Sequence, residues 1–212
     1  MVYTSQKNIE KAWSYLVIAP ATNLAIRLED VKAFLRIEGT DDDVALIGFI
    51  KAATATGEKL TKRDFINKTY RTYRDNFSDF ELFYSSAYPI ELRRSKLQSV
   101  ESIKYYKDSV LTTVDTAIYY NTVQSDFSSV LPVDGSTWPS DYDFRLQCIE
   151  IEFIAGYGAN YLSVPPDIRQ ALMSHVSNLY SNRGDCPDGI PLGIPTIAKN
   201  IYLNNRILDF IL

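Results

Sequence analysis

Glu150 and Glu152 stand two positions apart in Cys148-Ile149-Glu150-Ile151-Glu152-Phe153, where apolar and polar residues alternate. Alternation places both carboxylates on one face of a strand. Two such carboxylates can hydrolyse a glycosidic bond when burial keeps one of them protonated. The sequence shows no such burial, and alternating Glu is what the wet face of a strand commonly carries. Asp41-Asp42-Asp43 is a second acidic group. Its neighbours point in different directions and no carboxylates follow at calcium-loop spacing, so it reads as the cap of a helix rather than as a metal site.

The nucleophile chemistry is thin. The chain has one His and two Cys, so a triad or a Cys-His pair has to run through His175. His175 falls on an apolar helix stripe, which reads as a buried or interface position. There is no Gly-x-Ser-x-Gly elbow. Ala155-Gly156-Tyr157-Gly158-Ala159 has one Gly-x-Gly but no third Gly and no helix directly after it, so it reads as a turn out of a sheet. No catalytic residue, metal or cofactor is expected. Cys148 and Cys186 could pair, but two thiols fit a reducing compartment equally well.

Lys68-Thr69-Tyr70-Arg71-Thr72-Tyr73-Arg74 interleaves bases with aromatics. Surfaces that hold single-stranded nucleic acid have this composition. Tyr70, Arg71, Tyr73 and Arg74 are therefore a candidate contact surface. The formal net charge of −4 argues against a duplex-DNA binder built on a basic face.

The elements that position these residues follow from periodicity. The 212 residues are 46% apolar and 23% charged, which is globular composition with room for one sizeable core or two small ones. A helix is predicted over 28–37, with Glu29 and Asp30 in its first turn and Gly39 after its end. A second is predicted over 42–62, with Leu46, Ile50, Ala53, Gly57 and Leu60 in one stripe. Gly48 and Gly57 interrupt it, either tolerated or marking the close approach of another helix. A third, over 166–182, starts at Pro165-Pro166 and carries Ile168, Ala171, Leu172, His175, Val176 and Leu179. A short helix from Thr196 to Asn204 follows.

Between the second and third helices the period changes to two. Strands are predicted at Thr69–Phe77, Phe80–Tyr84, Val100–Tyr106, Ala117–Val123 and Gln147–Ile154, and eleven of the 15 Tyr lie between Tyr70 and Tyr161. The fold class is α+β: a small helical bundle with a β-rich antiparallel insertion over about 68–154. The domains divide into a discontinuous helical core (20–64 and 164–207), the insertion (65–163) and terminal arms (1–19 and 208–212). No apolar run reaches the roughly 18 residues of a membrane helix, and Met1 to Pro20 lacks the marks of a signal peptide. Ile207-Leu208-Asp209-Phe210-Ile211-Leu212 is unusually apolar and suggests a contact segment.

Several stretches in order resemble the head–tail connector (adaptor, or head-completion) proteins of tailed bacteriophages and prophages. They are Leu28 to Ile37 followed by Asp41-Asp42-Asp43 and Leu46-Ile47; Leu97 to Asp108; Trp138-Pro139 followed by Ile149 to Gly158; Val164 to Leu172 with Tyr180-Ser181-Asn182-Arg183; and Leu203-Asn204-Asn205-Arg206. Lys96 departs from a frequent Pro, and the loop from Asp108 to Asp115 lacks the usual Asp-Gly turn. The resemblance implies a structural virion protein that assembles as a ring on the portal and extends the DNA channel without reading sequence. It also implies a docking surface for a downstream adaptor or tail-completion protein, a place in the virion, passage through the host cytoplasm during assembly, and no membrane partner. Expected subunit or partner contacts are Leu46, Ile50, Gly57, His175, Ile207, Leu208, Phe210, Ile211 and Leu212. The rival expectations are a single-stranded nucleic-acid-binding accessory protein and, behind it, a glycan hydrolase.

Overall fold

A computed structural model describes residues 15–77, 89–92, 94, 96–123, 128–183 and 193–207. The expected strand at Phe80–Tyr84, Cys186, and the tail residues Leu208, Phe210, Ile211 and Leu212 lie outside the described residues.

Among the described residues, four α-helices and two antiparallel sheets follow the α+β plan. The helices are α1 (Leu28–Leu35), α2 (Asp43–Thr61), α3 (Pro166–Ser181) and α4 (Thr196–Asn204). Helix α1 ends before Gly39. Arg36 turns left-handed (φ 57°), and the Ile37 N–H donates to the Lys32 carbonyl at 3.0 Å, which satisfies the helix end locally. Helix α2 ends the same way at Lys62 (φ 58°).

The apolar stripes of the helices meet in one core. Leu46, Ile50 and Ala53 of α2 join Ile168, Ala171, Leu172 and Val176 of α3 and Ala198 and Tyr202 of α4. Burying each Leu or Ile of this set stabilises the fold by about 1.5–3 kcal/mol. Gly57 is where small size is needed. A Cβ there would stand 2.7 Å from the Phe65 ring and 3.0 Å from the Tyr202 ring. Gly48 has nothing within 4 Å and is merely tolerated.

The strands are β1 (Tyr15–Ala19), β2 (Lys68–Arg74), β3 (Ile90–Leu92), β4 (Leu97–Lys107), β5 (Val110–Thr113), β6 (Tyr119–Val123), β7 (Ser128–Pro132) and β8 (Ile149–Ala155). One sheet runs β1-β2-β8-β4-β5 and the other β3-β7-β6. Strand β8 is central, with Ile151 opposite Thr72 on one side and Ile103 on the other. Its alternation holds: Ile149, Ile151, Phe153 and Ala155 are buried, whereas Glu150 and Glu152 face out. The two sheets share a second core that includes Ile90, Leu92, Ile103, Val130, Phe77 and Trp138, the last two stacked at 5.3 Å.

Part of the expected N-terminal arm is a strand. Tyr15–Ala19 pairs antiparallel with β2, Val17 opposite Tyr70, and forms an edge of the larger sheet. The loop after β4 is a two-residue hairpin turn without Asp-Gly. Asp108 and Ser109 both take positive φ (51° and 64°), as such a turn requires, and Lys107 pairs with Val110 across it.

Candidate assembly surfaces

The apolar residues expected at subunit contacts serve the chain's own core. Leu46, Ile50 and Gly57 are buried between α2, α3, α4 and Phe65. His175 is buried on α3, 6.1 Å from the Tyr202 ring, and burial pushes its imidazole below the ordinary value. Ile207 is also buried, its N–H donating to the Thr61 carbonyl at 2.9 Å. The physical reason is common to all five. Helix α3 packs on the α2 stripe, and α4 with the segment after it returns over both.

The aromatic and basic set on β2 is not one surface. Strand alternation sends Tyr70 and Arg74 inward and Arg71 and Tyr73 outward. Tyr70 stacks on Phe153 at 5.6 Å and donates its hydroxyl to Asp64 at 2.7 Å. Arg74 is held by the Glu91 carbonyl. On the outer face Arg71 binds Glu152, its Nε 2.9 Å from Oε1, and lies 3.6 Å from Glu150, which Lys104 also approaches at 3.8 Å. Glu150 and Glu152 are thus half-buried rungs of a cross-strand charge ladder, engaged by Arg71 and Lys104.

Asp42 and Asp43 act between helices rather than as side-chain caps. Asp42 makes no capping bond; it accepts from the Tyr180 hydroxyl at 2.6 Å and from Arg183 at 2.8 Å. Asp43 accepts from Lys32 of α1 at 2.8 Å. Among the described residues, no group of three His, Cys, Asp or Glu is placed to hold a metal ion.

A buried polar network joins the bundle to the sheet. Lys68, at the start of β2, donates to Glu58 of α2 at 2.5 Å and to Asp64 at 2.9 Å. The Phe65 N–H donates to Glu58 at 2.9 Å. Burial pushes the Glu58 carboxyl up despite Lys68. Burial alone would lower the Lys68 ammonium, but Asp64 and Glu58 outweigh it and hold it raised. The cleft beside the network, lined by Asn23, Lys51, Thr54, Glu58 and Lys68, is about 230 Å³. That is below the roughly 300–1,000 Å³ of ordinary small-molecule pockets.

The exposed apolar side chains lie elsewhere. Leu16, Val17 and Ile18 project from β1; Val110 and Leu111 from β5; Phe144 and Leu146 from the loop before β8. The loop is well tethered. Asp143 accepts the N–H groups of Asp108 and Ser109, both at 2.9 Å, and Arg145 stacks 4.1 Å above the Tyr106 ring. An uncharged run, Tyr15-Leu16-Val17-Ile18-Ala19, was the available signal for the first of these patches.

Residues 25–104 match the family of phage gp6-like head–tail connector proteins. The match bears out the resemblance to head–tail connectors and spans α1, α2 and the first strands of the insertion. No curated protein matches the chain. Three solved structures share the fold over 92% of this chain. In the neck of an empty gene transfer agent (GTA) particle, computed with C6 symmetry, a chain 19% identical superposes with a TM-score of 0.70 over 96% of its own length. In the virion of a native GTA particle the values are 20%, 0.65 and 95%. In the neck of a native GTA particle, computed with C12 symmetry, they are 20%, 0.63 and 95%. These structures show that bundle and insertion recur together as one fold.

Proposed function

We propose that the chain is a structural virion protein, a head–tail connector. It forms a ring beneath the portal, extends the DNA channel toward the tail and presents a surface to a downstream adaptor or tail-completion protein. The observation that carries this is the family match over 25–104, supported by a fold shared with neck particles along nearly the whole chain. Its role is architectural rather than catalytic. Its polar clusters are consumed in tying elements together, as in Glu58–Lys68–Asp64 and Asp42–Tyr180.

DNA passes through the ring without being read. The net charge of −4 suits a wall along which a polyanion slides. A single-strand binding face on β2 has lost its basis, because Tyr70 and Arg74 are buried. The protein works in the virion and reaches it through the host cytoplasm. Deleting its gene from a particle-producing genome tests the role: heads and tails should accumulate unjoined. Normal joined particles would contradict it.

A further inference from the structure

The five-stranded sheet ends in two short edges, β1 with an irregular register between Val17 and Ala19, that carry no charged side chain and no proline. Strand β1 is Tyr-Leu-Val-Ile-Ala and β5 is Val-Leu-Thr-Thr. Proteins that must stay monomeric commonly blunt such edges with Lys or Pro. Here Leu16, Val17 and Ile18 are 54%, 44% and 39% exposed, and Val110 and Leu111 are 64% and 40% exposed. Among the described residues no further strand pairs beyond β1 or β5.

The two edges have the same direction. Every neighbouring pair from β1 through β2, β8 and β4 to β5 is antiparallel, so four reversals separate the ends and β1 and β5 run parallel to each other. They also have similar lengths, five and four residues. Rotating a copy about an axis along the strands therefore brings β5 of one copy beside β1 of the next with matching polarity. A two-fold contact would join β1 to β1 and leave β5 open. A single head-to-tail contact covers both edges at once, and it closes when the rotation divides the circle.

We propose that neighbouring copies of this chain join by parallel pairing of β5 of one with β1 of the next, so that the sheets form a continuous belt around the ring. The occupant of each edge is a second copy of the chain. The inference rests on the connector reading only in taking the assembly to be a closed ring. Backbone hydrogen bonds supply the junction, and Val110 and Leu111 meet Leu16, Val17 and Ile18 on its faces.

Disulfide trapping in the full chain tests it. Val17→Cys and Leu111→Cys are combined in a Cys186→Ser background, Cys148 being buried. The protein is incubated with portal rings, oxidised mildly and run without reductant. A ladder of covalent multimers is expected from the double variant, and monomers from either single variant. Rings seen by electron microscopy without a ladder would overturn the edge pairing and leave the connector reading standing. Dimers from Val17→Cys alone would also overturn it, in favour of a two-fold. Absence of any ring would overturn both. As a second arm, Val17→Lys and Leu111→Lys should each lower ring yield at least tenfold while the circular dichroism and melting of the monomer stay unchanged. Unaltered ring yield would contradict the proposal.

Discussion

The Tyr180 hydroxyl donates to the Asp42 carboxylate at 2.6 Å, joining residues 138 positions apart. Between them the chain leaves the bundle, forms every described strand but β1, and returns. The contact therefore pins the start of α2 to the end of α3 and helps hold a discontinuous bundle together. Tyr180, with Arg183, holds the Asp42 carboxyl below its ordinary value. Its share of stability is present above the unfolded value and is lost as pH falls through the lower folded one. In Tyr180→Phe the Asp42 pKa should move up toward the ordinary carboxylate range, measured by NMR titration. An unchanged value would show that the contact carries no weight in solution.

The two glycines of α2 should respond oppositely to the same change. At Gly57 an added methyl meets the rings of Phe65 and Tyr202, and overpacking costs about 1–3 kcal/mol. That outweighs the helix-propensity gain of about 1 kcal/mol. Gly57→Ala should lower stability in urea melts. Gly48→Ala meets open space and should raise it by up to about 1 kcal/mol.

The β4–β5 turn should depend on Asp143. Its carboxylate accepts both N–H groups of a turn whose two central residues hold positive φ without glycine. Asp143→Ala should cost about 1 kcal/mol in urea melts, as loss of surface hydrogen bonds to a charged group does. Adding Asp108→Asn and Ser109→Gly, the residues that such a turn prefers, should restore it. Failure of that rescue would mean that Asp143 acts elsewhere.

His175 makes stability pH-dependent in one direction. Burial lowers its pKa in the folded protein, while the unfolded chain takes a proton near the ordinary value of 6.5. Stability is full above that value and falls as pH drops from it toward the folded pKa. The Tm difference between pH 7.5 and pH 5.5 should shrink in His175→Gln. An equal difference would place the acid sensitivity in other groups.

The helices were legible because their signals are local. Pro165-Pro166 opens α3 as expected, and Thr196–Asn204 appears with the expected bounds. The alternation of β8 was equally plain. Strands β1, β3, β5 and β7 were not read, since three to five residues give too short a pattern and their stability comes from partners far away in sequence. The stripe Leu46–Ile50–Gly57 was legible as one that another helix covers, and α3 and α4 of the same chain cover it. In Tyr70-Arg71-Thr72-Tyr73-Arg74 composition suggested a surface. The period of two, applied strictly, would have split it, and the Glu91 carbonyl that stabilises the buried Arg74 comes from another strand.

Electron microscopy of the purified protein mixed with its portal ring decides whether this chain is a ring-forming connector. A second ring of this protein should stack coaxially on the portal, with an open channel through both. Portal rings that stay bare, with the chain monomeric beside them, would contradict it.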